Sequence, residues 1–527
     1  MPSAAMIHRA TRRSAGLRSH VGHRGAFVKT RFLRHVPPVA GCTVFLLAVV
    51  VPTLALLLHC VQDGRRPVGG FALSVRQWGL LAKSVGLAVL GVVMATGISI
   101  PGAYVVGRLG RLSRHPLLTT MLVAPLLFPP MVYVFGWQRV LPVTFPQPVQ
   151  CIAVWALWAY PIPALLIGMG WARVGRHTYN AALLDTSPAS AFVRAALPML
   201  WPHAALSSLI LFVVFLGEYS VPHACGLMVY ATELLGWATE SAHPIDTLWP
   251  SLPPAVLILA AVIAVRRAWG RYVLAEDMDT QSPAVRGVSV RLTLLAAACF
   301  AVAAVVPVAA LVADLRSAGE MERAVRTYGV ELAESLVVAG VSGLIVMGMG
   351  VSLAVVRPLR RPVLLWAIAF GALPGALVGE AILAAYRSVP LIYEHWLLVV
   401  LGYTARFAWI GVVAVALVSR ATPEEVTHQA RTDGADETAV MLRIHAALSW
   451  PTLLFAASLA AAMSLSEVAT SWLVRVPSLR LIAHILMEKF HRPEGGMLSA
   501  LSLWLVLSAV PAAVLLAVVL RRQRCKP

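Results

Sequence analysis

Apolar residues in this chain do not keep the helical or strand periodicity of a half-buried surface. They come in long, nearly unbroken runs separated by short polar stretches. A helix needs about 20 apolar residues to cross roughly 30 Å of hydrocarbon. Twelve runs qualify, at 38–61, 80–106, 117–137, 150–170, 204–222, 249–265, 290–314, 332–356, 363–386, 395–418, 452–474 and 497–520. The pattern predicts an all-α polytopic membrane protein. Pro125, Pro129-Pro130 and Pro374-Gly375 fall inside the third and ninth runs, where proline removes a backbone donor and admits a kink.

Composition supports this reading. Apolar residues make up 59% and charged residues 13% of the 527, against about 45–50% and 25% in soluble domains. Such a chain could not cover a soluble surface with polar groups, and its apolar content also excludes disorder. The net charge of +19 does not mark a nucleic-acid binder. Only Lys29, Lys83, Lys489 and Lys526 are lysines, and the arginines cluster beside apolar runs, as in loops that set membrane orientation. Their excess on alternate loops, including Arg12, Arg13, Arg31 and Arg34 ahead of the first run, places both termini in the cytoplasm. The first run is too long for a cleaved signal peptide and lacks a clear cleavage site.

The chain also repeats itself. Pro202 and Pro451 lie 249 residues apart, as do Glu218 and Glu467, and Pro125 and Pro374. Three landmarks at one offset predict two parallel six-helix halves. A basic N-terminal segment (1–36) precedes a first half at 37–265. A linker follows at 266–289, carrying Glu276-Asp277-Met278-Asp279, and then a second half at 290–527.

Two polar loops occupy matching places before the fifth and eleventh runs. One reads Asn180-Ala181-Ala182-Leu183-Leu184-Asp185-Thr186-Ser187-Pro188, with Leu197-Pro198 downstream. The other reads His428-Gln429-Ala430-Arg431-Thr432-Asp433-Gly434-Ala435-Asp436, with Pro451 downstream. Each predicts a short helix, a turn at Asp185-Thr186 or Asp433-Gly434, and a second helix rising into the membrane. An ordinary polar connector is the alternative, but it has no reason to recur at a fixed offset.

These loops resemble the cytoplasmic loop of ABC-transporter permease subunits: Glu-Ala-Ala, three residues, Gly-Ala, then Leu-Pro and Pro. Ala181, Ala182, Asp185, Leu197, Pro198 and Pro202 match in the first loop. Ala430, Asp433, Gly434, Ala435, Ile444 and Pro451 match in the second. Asn180 and His428 replace the Glu, Gln429 replaces an Ala, Thr186 replaces the Gly, and Ala446-Ala447 replaces the second Leu-Pro. Two fused halves are similar to the ferric-iron and thiamine importers. The resemblance implies that the loops dock on a separate, homodimeric ATPase subunit, which uses the ATP. It also implies that a periplasmic binding protein delivers a small substrate, and that the chain sits in a bacterial inner membrane. Ferric iron is the first choice of substrate, with thiamine or a small phosphorus compound next.

The chain lacks a phosphate-binding loop, since no Lys follows a Gly. No Cys-x-x-Cys or His-Glu-x-x-His pair argues for a resident metal, and no nucleophile-plus-base constellation is visible. We therefore expect a transport subunit without enzymatic activity or bound cofactor. Cys42, Cys60 and Cys299 read as buried hydrophobes, while pairing of Cys151 or Cys225 at the outer face stays open. Ionisable groups inside spans are costly and point to function or to a partner. Glu218 and Glu467 are placed inside the fifth and eleventh helices, roughly 22 Å from the inner end at about 1.5 Å per residue. With Glu380 and Arg406 they form a candidate pathway at the interface of the halves. The competing reading is polar glue, with Arg406 paired to Glu380 or Glu467. A secondary transporter of the major facilitator type is the rival class. Gly107-Arg108-Leu109-Gly110-Arg111-Leu112 resembles its basic loop but lacks the Asp.

Overall fold

The structure is a computed structural model. It describes residues 38–524 apart from 63, 65–66, 68–71, 110–115, 143, 174–175, 242, 269–289, 318, 357–359 and 492–495. The basic segment 1–36 and the acidic residues of the linker lie outside the described residues. The described chain is helical, without a strand. Among the described residues nine helices are long and apolar enough to cross a membrane, or up to twelve if each of three bent pairs is one span. Large side chains such as Leu90, Val93, Val337 and Leu344 stand exposed on these helices. Water would penalise that surface, whereas lipid accepts it.

The first half runs α1 (Pro38–Gln62), α2 (Val75–Leu109), α3 (Pro116–Leu127), α4 (Pro130–Val140), α5 (Gln147–Ala159), α6 (Pro161–Arg173), α7 (Arg176–Asp185), α8 (Leu197–Gly217), α9 (Ser220–Ala224), α10 (Tyr230–Glu240) and α11 (Pro244–Ala268). The second runs α12 (Val290–Ala313), α13 (Gly319–Val355), α14 (Arg360–Ala372), α15 (Gly375–Tyr386), α16 (Leu397–Ala421), α17 (Glu424–Thr432), α18 (Ala447–Ser464), α19 (Val468–Leu473), α20 (Ile482–His491), α21 (Met497–Ser508) and α22 (Val510–Arg524).

Prolines decide where helices break. The α3–α4 pair bends by 92° and the α14–α15 pair by 111°. Each bend sits at a proline with extended ψ: Pro129 (φ −55°, ψ 128°) and Pro374 (φ −52°, ψ 137°). Proline locks φ and keeps the preceding residue out of the helical region, so the helix ends there. The structural partner of Pro374 is thus Pro129. Pro125, its partner by offset, lies within α3. The third landmark of the repeat is corrected accordingly.

The halves are interlocked. The first helix of each packs on the broken helix of the other, α1 against α15 and α12 against α4. The Tyr386 hydroxyl donates to the carbonyl of Leu47 in α1 at 2.5 Å, and the Tyr133 hydroxyl donates to Ala303 in α12 at 2.7 Å. Within each half the Ser84 hydroxyl accepts from the Tyr230 N–H and the Ser335 hydroxyl from the Ile482 N–H, both at 2.8 Å. These two pairs pin α10 and α20 to α2 and α13. Between α13 and α16, Gly350 and Gly411 meet so closely that a Cβ on either would collide with the other helix's backbone. Small residues let membrane helices approach in this way.

Candidate functional site

Glu218 and Glu467 do not lie inside helices. Helix α8 ends at Gly217, Glu218 is extended (ψ 129°), and α9 starts at Ser220. Helix α18 ends at Ser464, Glu467 is extended (ψ 97°), and α19 starts at Val468. A break of this kind leaves N–H groups of the next helix without partners, and each glutamate supplies the acceptors. Glu218 accepts from the Ser220 N–H at 2.6 Å and the Val221 N–H at 3.0 Å. Glu467 accepts from the Thr470 N–H at 3.0 Å, with the Thr470 hydroxyl 2.9 Å away. Both carboxylates cap the short helix that follows.

The side chains that partner them differ between the halves. Arg406 reaches Glu467 Oε2 with its Nε at 3.6 Å. Its Nη1 donates to the carbonyl of Gly371 at 2.7 Å and also to that of Leu373. Those carbonyls sit at the end of α14, where helical partners run out. One guanidinium therefore ties the α14–α15 break to the α18–α19 break. In the first half two indoles divide this work. Trp155 donates to Glu218 Oε2 at 3.0 Å, and Trp158 donates to the carbonyl of Phe128, at the α3–α4 break, also at 3.0 Å. Of the four ionisable residues placed inside spans, the structure brings Arg406 and Glu467 together. Glu218 stands at the equivalent break, and Glu380 lies apart on α15, its nearby cation being Arg387.

The polar loops fold as helix–turn–helix elements. Helix α17 ends in a two-bond turn: the Gly434 N–H donates to Arg431 at 3.0 Å and the Ala435 N–H to Ala430 at 2.9 Å. Gly434 takes φ +88°, a left-handed conformation that glycine adopts without a Cβ clash. Asp433 is the last residue before that reversal. Asp436 then caps the next turn by accepting from the Ala439 N–H at 2.8 Å, and Arg431 clasps Glu437 at 2.9 and 3.3 Å. In the first loop Thr186 stands in place of Gly434. It closes α7 without positive φ, its N–H and hydroxyl both donating to Ala182 at 3.0 and 2.9 Å. Ala181, Asp185 and the neighbouring Leu184 are exposed. Pro198 is the second residue of α8, which continues without a gap from a π-helical stretch at Phe192–Ala196.

At the other end of α8 and α18 lies a cavity of about 900 Å³ between the halves. Its lining includes Tyr219 just before α9, His223 from α9, Trp472 from α19, Arg475 beyond it, and His484 and His491 from α20. The Tyr219 hydroxyl is 3.1 Å from His223 Nδ1, while His223 Nε2 is buried with no partner among the described residues. The Arg475 guanidinium sits 5.1 Å above the Trp472 ring. His484 is 3.0 Å from the Ser471 hydroxyl. Burial, with Arg475 beside it, pushes its imidazole down to about 4, so it is neutral at pH 7. Glu218, Glu380, Arg406 and Glu467 do not line this cavity. Sequence reasoning missed the cavity residues. The available signal was Trp472 at the end of an apolar run, with Arg475, Pro477, Arg480 and His484 closely spaced just past it. Among the described residues no group of three His, Cys, Asp or Glu could hold a metal ion.

No family model matches the chain, and no curated protein or solved structure matches it.

Proposed function

We propose that this protein is the membrane subunit of an ATP-driven importer, in which a separate homodimeric ATPase docks on the two helix–turn–helix loops. The observation that carries the reading is their recurrence. Each half presents a capped, exposed helical turn, and each turn leads directly into a helix that ends at the shared cavity. Helix α8 alone has 21 residues, about 30 Å at 1.5 Å per residue. A push on the loop is transmitted along α8, or along α18, which bends at Ser449 (φ −127°, ψ 21°), to the break at Glu218 or Glu467. On this reading the loops face the cytoplasm of a bacterium and the cavity faces the periplasm, where a binding protein delivers its small cargo. Ferric iron stands first among cargoes by resemblance to the fused importers. The breaks at Pro129 and Pro374, tied by Trp158 and Arg406, are the natural places for the halves to repack around the cargo.

The test is association. Full-length protein carrying an affinity tag, extracted gently from its native membrane, should retain an ATP-hydrolysing subunit. Gly434→Pro should weaken that retention while leaving the chain in the membrane. A chain that stays free of any ATPase, and takes up solute on an ion gradient alone, would be a secondary transporter instead.

A further inference from the structure

We propose that the cavity between the halves binds the oxyanion of a small solute, with Arg475 as its contact and the His223 Nε2–H as a second donor. This rests on the importer reading for the direction of transport but not for the binding itself.

The charges facing the cavity carry the argument. Arg480 and Glu488 are paired at 3.3 Å and cancel. Arg475 faces no carboxylate within ion-pair distance among the described residues. It is held over Trp472, which leaves the guanidinium edge free to donate. His484, neutral for the reason given above, adds no charge. Among the described lining residues Arg475 is therefore the guanidinium without a carboxylate partner.

His223 adds an independent sign. The Tyr219 hydroxyl and His223 Nδ1 are 3.1 Å apart, and in the tautomer in which the hydroxyl donates, the proton sits on Nε2. Nε2 is buried with no partner among the described residues, and in that tautomer its N–H costs free energy until an acceptor arrives. A carboxylate, phosphonate or phosphate oxygen provides one, and a planar guanidinium suits the same groups. A bare cation finds no free carboxylate here. The Tyr219 and Trp472 rings flank the cavity and suit an apolar or aromatic body attached to the anion. If iron is the cargo, it enters as an anionic oxygen-ligand complex rather than as the free ion.

The experiment measures equilibrium binding to the full chain in lipid nanodiscs, with phenylphosphonate, ferric citrate, iron-free citrate and thiamine as probes. Phenylphosphonate should bind, Arg475→Gln should weaken it by at least about tenfold, and Arg475→Lys should recover part of the loss. His223→Phe should weaken it as well. Ferric citrate binding that iron-free citrate does not share identifies a ferric chelate as cargo, and must show the same Arg475 dependence. The proposal is overturned if phenylphosphonate fails to bind the unaltered protein, or if Arg475→Gln binds it equally well. It is also overturned if cationic thiamine binds and Arg475→Gln tightens it. Retention of an ATPase subunit is scored on the same samples. Its absence with phenylphosphonate binding intact refutes the importer reading alone, and its presence without phenylphosphonate binding refutes the anion site alone.

Discussion

Removing the Arg406 guanidinium strands several acceptors at once: the Glu467 carboxylate and the carbonyls of Gly371 and Leu373. Both side chains of the ion pair are mostly buried, at 14% and 15% exposure. Arg406→Leu should therefore cost about 3–5 kcal/mol, the range for leaving one member of a buried pair uncompensated. Adding Glu467→Gln should restore part of that by removing the orphaned charge. Thermal unfolding of the purified variants checks both statements, and equal loss in single and double variants would remove the pairing from the explanation. In the first half, Trp155→Phe deletes one donor to Glu218 and should cost about 1–2 kcal/mol. The common offset of Glu218 and Glu467 is legible in the sequence, but their place at helix ends is not. Hydropathy stays high across Leu216-Gly217 and across Leu465-Ser466, and an apolar run does not say whether a helix continues or stops and restarts. Nor could spacing choose between Glu380 and Glu467 as the partner of Arg406. That choice depends on how α14, α16 and α18 pack.

The prolines at element scale taught more than the glutamates. A proline pair in an apolar run is a visible break, and Pro129 and Pro374 mark the two sharp bends. The equal offset of Pro125 was misleading because the loops between the landmarks differ in length, so equal numbering does not mean equal place in the fold. The turn of α17 was readable in advance, since Asp-Gly past a short polar helix is a common way to end one. Gly434 takes φ +88° with open space around it. Gly434→Ala should therefore cost only about 1 kcal/mol, from conformation alone. Thermal unfolding should register that small loss while the helix content stays unchanged. Gly411 is the opposite case. Its missing Cβ leaves room for the α13 backbone at Val346, so Gly411→Leu should prevent α13 and α16 from closing. Membrane abundance should fall sharply, and a well-folded, abundant Gly411→Leu protein would show that the two helices need not touch.

In the whole molecule the sequence halves are not separate bodies. Helix α1 packs on the second half and α12 on the first, each held by a tyrosine hydroxyl from the broken helix it covers. The repeat predicted two halves but not this exchange, because no periodicity within a helix records which half it packs against. The chain cut within 269–289 and co-expressed as two fragments should co-purify as a complex. Either fragment alone should aggregate, since α4 or α15 would lose its cover.

The most direct measurement of the importer reading is which partner leaves the membrane with this chain. Full-length protein isolated from its native membrane should carry an ATPase subunit in stoichiometric amount. ATP hydrolysis should rise when an oxyanion probe occupies the cavity, and Gly434→Pro should abolish that rise while Arg475→Gln reduces it. Isolation without an ATPase, together with solute uptake that follows an ion gradient and ignores ATP, would overturn the assignment of the two loops as docking elements.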